Sequence, residues 1–369
     1  MIDVNYLQRW KNTFERKAVD RLPRFYLGTA EFTESLKSYM GLELEEILYD
    51  RFDIDYRFQN AGCEGKSWEP PYIGPELKTY EDGSFDNIWG SRQRKVFHRA
   101  GKGSYTETVR FPLADAATVK EIDNHRWPQA DWFDYESIIS TIKAYPEYPF
   151  MVGYLSPGWF SWETRGMAKC MEDFYLDPAI AQALVQNICD FGFAYYSRLL
   201  EAVKDYIGKN VVAIHLADDW GAQNGLLMGP DIFDKFFAHH YRRFTDLAHL
   251  YGLKVEFHSC GAARQLYSRF IDVGVDIMNP VQTSAEGMNP AEIKAEYSKD
   301  LAFSGAIDVQ QLLPNASCDE VKDEVKRVLD VMGKGGGFYP GPAHNIQLGT
   351  PPQNVVAMYE AMDEYFSVK

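Results

Sequence analysis

Long apolar runs are missing from this sequence, and so is an excess of basic residues. No stretch approaches the roughly 18 apolar residues that a membrane-spanning helix needs, so no such helix is expected. Lysine and arginine number 38 against 53 aspartates and glutamates, which gives a formal net charge of −15. The chain therefore lacks the basic face typical of proteins that bind nucleic acids or anionic membranes, and neither is expected as a partner.

Cysteines are few and scattered. The five are Cys63, Cys170, Cys189, Cys260 and Cys318. An odd, dispersed set favours a reducing compartment over a disulfide framework. The opening residues, MIDVNYLQRWKNTFERK, carry charges throughout and do not resemble a secretory signal. We therefore expect a cytoplasmic location, while the oligomeric state stays open, a homodimer included.

Several common catalytic signatures are also absent. The chain has no G-x-S-x-G nucleophile elbow and no H-E-x-x-H zinc motif. The segment GKGGG at 333–337 lacks the spacing of a phosphate-binding loop and precedes a predicted strand. It therefore predicts a plain turn between a helix and a strand.

Short apolar segments alternate with longer helical segments from about residue 148 onwards. The predicted strands lie in PFMVGYL, VVAIHLADD, LKVEFHSCG, VDIMNPV, LAFSGAID and GGGFYPGP. This alternation is typical of a parallel sheet with crossover helices. An open, doubly wound sheet would show the same rhythm, but polar residues follow nearly every strand, as they do at the mouth of a barrel. We predict one domain over 1–369, an α/β fold of the (β/α)8 TIM-barrel type.

The first 148 residues predict an N-terminal helical and β-hairpin extension together with the first strands. A helix is expected over 4–18 and a strand over 24–28, RFYLG. The alternating segment VFHRAGKGSYTETVRF predicts a hairpin that caps one end of the barrel, and EDGSFDNIWG contains an Asp-Gly turn signal. The aromatic segment SPGWFSWETRG, 156–166, is expected to be a loop.

The segment from His258 to Gly261, HSCG, carries the sharpest chemical signal. Residues two apart on a strand project to the same side, so His258 and Cys260 should point together. Imidazole nitrogen and thiolate sulfur are both good zinc ligands, and Gly261 leaves room for the backbone to turn. A buried cysteine that acts only as a small apolar residue is the alternative.

A catalytic zinc needs a third protein ligand and an open position. His344 follows the last predicted strand and is the best candidate. Asp219 and Asp308, which follow two other strands, are the carboxylate alternatives. Asp218 and Asp219 are adjacent, so only one of the two should face the barrel mouth, and the other would cap the next element.

The remaining polar and aromatic residues near strand ends complete a candidate active-site ring. Carboxylates there bind a substrate hydroxyl, orient a ligand or move a proton; aromatic rings stack on a flat substrate. The alternatives are helix capping for the polar residues and hydrophobic cover of the barrel rim for the tryptophans. Asp219 and Asp308 are the catalytic candidates, and the substrate-binding candidates are Asp218, Asn279, Gln282, Trp159 and Trp162.

The segments ADDWG, FHSCG, VGVDIMNPVQ, FSGAID and GPAHNI, followed by PPQNVVAMYEA, resemble the uroporphyrinogen-decarboxylase superfamily. The resemblance runs from about residue 149 to the C-terminus and implies a (β/α)8 barrel. The superfamily has two main chemistries. One is cofactor-free decarboxylation of uroporphyrinogen, and the other is methyl transfer to or from corrinoid proteins.

Two features separate these branches. In the methyltransferases, a His-x-Cys pair and a later cysteine bind zinc; His258 and Cys260 match the pair, and His344 stands close to the place of the missing cysteine. The decarboxylases carry a basic Arg-Gln-Ala-Gly-Arg stretch that grips the porphyrin acids. The corresponding region here reads RFYLGTAEFTESL and lacks that motif.

The resemblance therefore implies the methyltransferase component of a corrinoid-dependent system. The expected cofactors are zinc and a corrinoid (cobalamin) carried by a partner protein. The expected small molecule is a methoxylated aromatic donor whose ether oxygen zinc polarises as a Lewis acid. In the other version of the reaction, the methyl group moves from the corrinoid to a thiol acceptor bound to zinc. The alternatives are a metal-free decarboxylase that uses Asp219 or Asp308, and a non-catalytic binding barrel.

Overall fold

The computed structural model describes residues 5–56, 69–97 and 104–367. Its helices are α1 (Tyr6–Phe14), α2 (Ala30–Met40), α3 (Glu45–Arg51), α4 (Val119–Asp123), α5 (Tyr135–Ala144), α6 (Pro157–Arg165), α7 (Met167–Leu176), α8 (Pro178–Val203), α9 (Pro230–Ile232), α10 (Ala238–Leu250), α11 (Tyr267–Asp272), α12 (Pro290–Tyr297), α13 (Leu312–Asn315), α14 (Cys318–Met332) and α15 (Pro352–Ser367). Short 3-10 helices cover Ala130–Trp132, Lys204–Tyr206 and Arg264–Leu266, and a π-helix covers Phe233–Phe237.

The strands are β1 (Phe85–Asp86), β2 (Arg92–Phe97), β3 (Ser104–Arg110), β4 (Phe150–Val152), β5 (Val211–Ala217), β6 (Gly221–Ala222), β7 (Gly225–Leu226), β8 (Lys254–His258), β9 (Ile277–Val281), β10 (Ala302–Ile307) and β11 (Phe338–Pro342). Six of them form one parallel sheet in the order β11-β10-β9-β8-β5-β4. Five of these strands are buried throughout, which explains their largely apolar sequences, and β8 is buried at its three central residues. The predicted parallel α/β architecture is confirmed.

The parallel sheet is strongly curled. In a flat sheet of six strands, β4 and β11 would lie roughly 24 Å apart. Residues from these two strands nevertheless share one buried cluster with Phe25, whose ring centre lies 5.5 Å from that of Tyr339. The cluster comprises Trp10, Phe25, Tyr56, Met151, Val212, Ala213, Ile277, Ala302 and Tyr339. The larger apolar core packs the helices against the rest of the sheet.

The segment 24–28 does not form the regular strand that its sequence predicts. It makes only isolated parallel bridges, Phe25 with Tyr56 and Gly28 with Ile346. One reason is local: the Arg24 backbone N–H donates to the Asp55 carboxylate at 2.9 Å rather than to a neighbouring strand. The parallel sheet therefore has six regular strands in the described residues, not the eight of the predicted barrel.

The N-terminal extension contains the predicted hairpin and helix. Strands β2 and β3 pair in antiparallel register, with β1 beside β2; the connecting residues 98–103 lie outside the described part. Helix α1 is shorter than the predicted 4–18. In the described ranges, no helix has both the length and the apolar character that crossing a membrane requires.

The aromatic segment 156–166 was predicted as a loop, and this prediction is wrong: most of it forms helix α6. Proline at the first helical position suits a helix start. The sequence hides the cap of this helix because the cap is supplied from far along the chain. The Asp218 carboxylate accepts the backbone N–H of Trp159 at 2.9 Å and the Ser156 hydroxyl at 2.8 Å.

Candidate metal centre

His258 and Cys260 lie at the carboxyl end of β8, where the strand passes into a tight loop. His258 is the last residue of the strand, and the Cys260 Sγ lies 3.2 Å from the His258 Nε2. Gly261 has a φ of +76°, and a Cβ on it would approach the Gly221 backbone to 2.4 Å. Only glycine allows this left-handed conformation and this contact at low cost. The predicted convergence of His258 and Cys260 is therefore a feature of the fold.

His344, in the loop after β11, completes a group of three. One ligand atom from each of His258, Cys260 and His344 lies within 4.8 Å of the other two. The imidazole rings of His258 and His344 are 6.2 Å apart, centre to centre. The structure thus brings together the three residues predicted as metal ligands, although 84 residues of chain separate the last two.

The chemistry of these donors fits zinc. With bonds of about 2.0 Å to nitrogen and 2.3 Å to sulfur, tetrahedral zinc separates the two ligand atoms by roughly 3.5 Å. The observed 3.2 Å between Cys260 and His258 is close to that value, and a small movement of His344 would bring in the third ligand. Two imidazoles and one thiolate leave a fourth position open, as in catalytic zinc sites.

The surroundings of the Cys260 thiol favour its neutral form. Burial raises its pKa, a hydrogen bond with His344 acts in the opposite direction, and the Asp219 carboxylate raises it further. Without a cation the thiol is therefore protonated at neutral pH. A bound metal ion would stabilise the thiolate instead.

Asn279 fixes the orientation of His258. The Asn279 Oδ1 lies 2.8 Å from the His258 Nδ1. An amide oxygen only accepts, so Nδ1 carries the proton and Nε2 presents its lone pair towards the site. The Asn279 amide itself donates to the Ser304 hydroxyl at 2.7 Å. Asn279, predicted to bind substrate, is thus placed as a support for a metal ligand.

Of the two adjacent aspartates, Asp219 lies at the mouth and Asp218 inside; Asp218 caps α6, which precedes it in the chain, and not the next element as predicted. The Asp219 Oδ1 accepts the Cys260 backbone N–H at 3.1 Å and lies 3.9 Å from the His258 Nε2. Asp218 is buried, and Tyr241 donates to it at 2.6 Å in addition to the contacts at the start of α6. Burial raises the pKa of Asp218 to about 6. Asp218 therefore positions α6 and does not line the cavity beside the metal ligands.

A cavity of about 310 Å³ opens beside the three ligands. Asp219, Gln282 and Asp308 line it together with Cys260 and His344. The Gln282 Oε1 accepts the Gly261 backbone N–H at 2.8 Å. The Asp308 carboxylate accepts three backbone N–H groups, from residues 310 to 312, at 2.9 to 3.1 Å. Asp308 thus stabilises the turn after β10 and also faces the cavity. Its position is compatible with both interpretations made from the sequence, capping and a catalytic role.

Neither candidate tryptophan lines this cavity. Trp162 is buried, and Trp159 is 48% exposed, both on helix α6. These positions agree with the alternative interpretation of the two tryptophans, as hydrophobic cover of the barrel rim. On the same helix, Phe160 lines a second and larger cavity.

Sequence reasoning missed a buried pair beneath the metal centre. The His215 Nδ1 lies 2.8 Å from the Glu256 Oε1, and the His215 ring centre is 6.3 Å from that of His258. The two residues are direct neighbours in the register of β5 and β8. The available signal was an ionisable residue in the interior of each strand, His215 in the otherwise apolar β5 and Glu256 at the centre of β8.

Comparison with known proteins identifies the family of this chain. The family model for uroporphyrinogen decarboxylase matches residues 96–365, well over half of the chain. The chain belongs to this family. A curated uroporphyrinogen decarboxylase from Serratia proteamaculans is 23% identical over 203 residues, 54% of this chain and 52% of that protein. The match thus spans about half the length of that relative.

Comparison with solved structures finds a similar fold. A methyltransferase from Methanosarcina mazei superposes with a TM-score of 0.63 at 17% identity, over 99% of this uroporphyrinogen-decarboxylase family member and 100% of the other chain. At this identity the match concerns the fold, and it supports a TIM-barrel-like architecture for the family member described here.

Proposed function

We propose that this family member is the methyltransferase component of a corrinoid-dependent methyl-transfer system. The observation that carries the proposal is the convergence of His258, Cys260 and His344 on one point at the carboxyl ends of the strands. Active sites of parallel barrels lie at this end. A closed (β/α)8 barrel, with segments 24–28 and 54–56 beside β11 and β4, is part of the proposal and is supported by the two parallel bridges.

The three residues would hold zinc. A bound zinc would supply Lewis-acid chemistry, polarising the ether oxygen of a methoxylated aromatic donor. The methyl group would leave that oxygen for the Co(I) centre of a separate corrinoid protein docked over the mouth. Transfer of the methyl group in the other direction, from the corrinoid protein to a thiol, would use the same three zinc ligands.

The residues of the chain have distinct tasks in this scheme. Asn279 holds the proton on the His258 Nδ1, so that Nε2 faces the metal. Asp219 holds the Cys260 backbone through its N–H, and Gln282 does the same for Gly261. These hydrogen bonds keep the ligand loop in one conformation, which limits the cost of reorganisation when the metal and the substrate bind.

Decarboxylation is the second candidate because the curated relative carries that name. Uroporphyrinogen has several carboxylates, which need basic side chains in the binding site. None of the residues that line the two cavities near the centre of the fold, as far as the structure describes them, is lysine or arginine. This favours methyl transfer, and Asp219 or Asp308 would act in the alternative.

The test is the metal content of purified protein beside two variants. We expect about one zinc per chain in the wild type and little in Cys260→Ala. Cys318→Ala is the matched control, because Cys318 is also partly buried but starts helix α14 and contacts Asn354. Methyl transfer to a Co(I) corrinoid protein should follow the zinc content. Zinc-free protein in all three samples after reconstitution, or full transfer by Cys260→Ala, would overturn the proposal.

A further inference from the structure

A second cavity, of about 680 Å³, lies between helices α6 and α8 and the segment 69–89. Of the 16 described residues that line it, eight are aromatic and three are acidic, and none is lysine, arginine or histidine. The metal ligands are not among them. The cavity nevertheless reaches towards the metal centre, because its wall residue Tyr154 stacks on His215 with 6.0 Å between ring centres.

The aromatic rings form a connected wall. Trp89 stacks on Phe160 at 4.4 Å and meets the edge of Phe191 at 5.3 Å. Phe133 continues the wall, 6.0 Å from Phe191 and 5.2 Å from Tyr195. Their mutual contacts fix these rings in place, so their faces and edges are available to a ligand without rearrangement.

Two carboxyl groups stand within this apolar wall. Burial raises the pKa of Glu69 to about 7, and it raises the pKa of Glu163 to about 7 as well. Glu163, on α6, is held by hydrogen bonds from two amide side chains, those of Gln93 and Asn87. Among the described residues, the groups that orient Glu163 are therefore neutral.

We propose that this cavity binds an organic cation, a substituted ammonium group carried on an apolar body. Aromatic faces attract such cations, and nearby carboxylates neutralise their charge. An anionic ligand would meet like charges, and no described residue of the wall is basic, which opposes its binding. The proposal concerns binding alone; if the proposed function also holds, the site would select methyl donors that carry an amine over donors that carry a carboxylate.

The test compares two probes that differ only in charge. Choline and its neutral isostere 3,3-dimethylbutan-1-ol are titrated into the purified full chain at pH 8, without metal or corrinoid protein, by calorimetry and by tryptophan fluorescence. We expect choline to bind about 10-fold more tightly than the isostere. Equal affinities, tighter binding of 4-methoxybenzoate, or no binding of choline at tens of millimolar would overturn the proposal.

Three variants, one of them a control, assign the binding to this cavity. Glu163→Gln should weaken choline binding several-fold and leave the neutral isostere unchanged. Glu172→Gln, on the exposed side of α7, removes the same charge elsewhere and should change neither. Phe160→Leu keeps the volume apolar and should also weaken choline binding, since it removes one ring. Choline binding that all three variants retain would place the cation elsewhere and refute the assignment.

The pH adds an independent readout. Choline affinity should fall as pH drops from 8 to 6, because both glutamates gain protons near pH 7, whereas the isostere should be insensitive. Asp86, which faces the same cavity, accepts hydrogen bonds from Tyr80. Burial raises the phenol pKa of the tyrosines around the cavity, which therefore stay neutral over this range: Tyr72, Tyr154, Tyr195 and Tyr196.

Discussion

Replacing Asn279 by alanine should weaken zinc binding without removing a ligand. The change deletes the acceptor that lies 2.8 Å from the His258 Nδ1. The ring would then be free to turn, or to carry its proton on Nε2, where the metal needs a lone pair. Loss of such a supporting contact costs about 10- to 100-fold in metal affinity. At 25 °C this is about 1.4 to 2.7 kcal/mol.

The same amide also donates to the Ser304 hydroxyl, so stability must be separated from metal affinity. Ser304 is buried, and losing its partner should cost about 1 kcal/mol of unfolding free energy. Ser304→Ala is the matched control: it removes this hydrogen bond but leaves the Asn279 Oδ1 beside His258. We therefore expect both variants to unfold more easily and only Asn279→Ala to lose zinc affinity by 10-fold or more.

The assay is competition for zinc against a chromophoric chelator at pH 7.5, with thermal unfolding of the metal-free proteins measured in parallel. An Asn279→Ala protein with wild-type zinc affinity would refute the assigned role of Asn279. Equal losses in both variants would point to a general loosening of the site instead.

Two further predictions concern the frame of the site. Gly261→Ala should destabilise the chain by more than 1 kcal/mol and abolish zinc binding. Gly252→Ala is the control, because Gly252 has the same φ of +76° but nothing lies within 4 Å of the added Cβ. Thermal unfolding of both variants therefore separates the cost of backbone strain from that of the clash with Gly221. Asp218, with a pKa of about 6 against 3.8 in the unfolded chain, should lower the unfolding free energy by about 2 kcal/mol as pH rises from 4 to 6, because the unfolded chain releases that proton first. Urea unfolding at several pH values should show this fall in the wild type and less of it in Asp218→Asn; the same fall in both proteins would exclude Asp218 as its source.

Apart from the helix within 156–166, the order of strands and helices after residue 148 was predictable because buried parallel strands and amphipathic helices leave strong local patterns. The candidate ligands were predictable for the same reason: His258 and Cys260 share a strand end, and His344 follows another strand of the same sheet. Gly261 was recognisable as the residue that allows the turn between them. These inferences need only the direction of the strands and the spacing along them.

Other features depended on partners far along the chain. The helical state of 156–166 follows from a cap that Asp218 supplies 62 residues after Ser156, and the short bridges of 24–28 follow from a backbone N–H that the Asp55 carboxylate accepts. Side chains of α6 and α8 meet the 69–89 segment only after the chain has folded back on itself. Local sequence patterns therefore determined the α/β class and three candidate ligands. The tertiary structure decided which aspartate faces the mouth and where a second ligand would fit, because burial and long-range hydrogen bonds assign those roles.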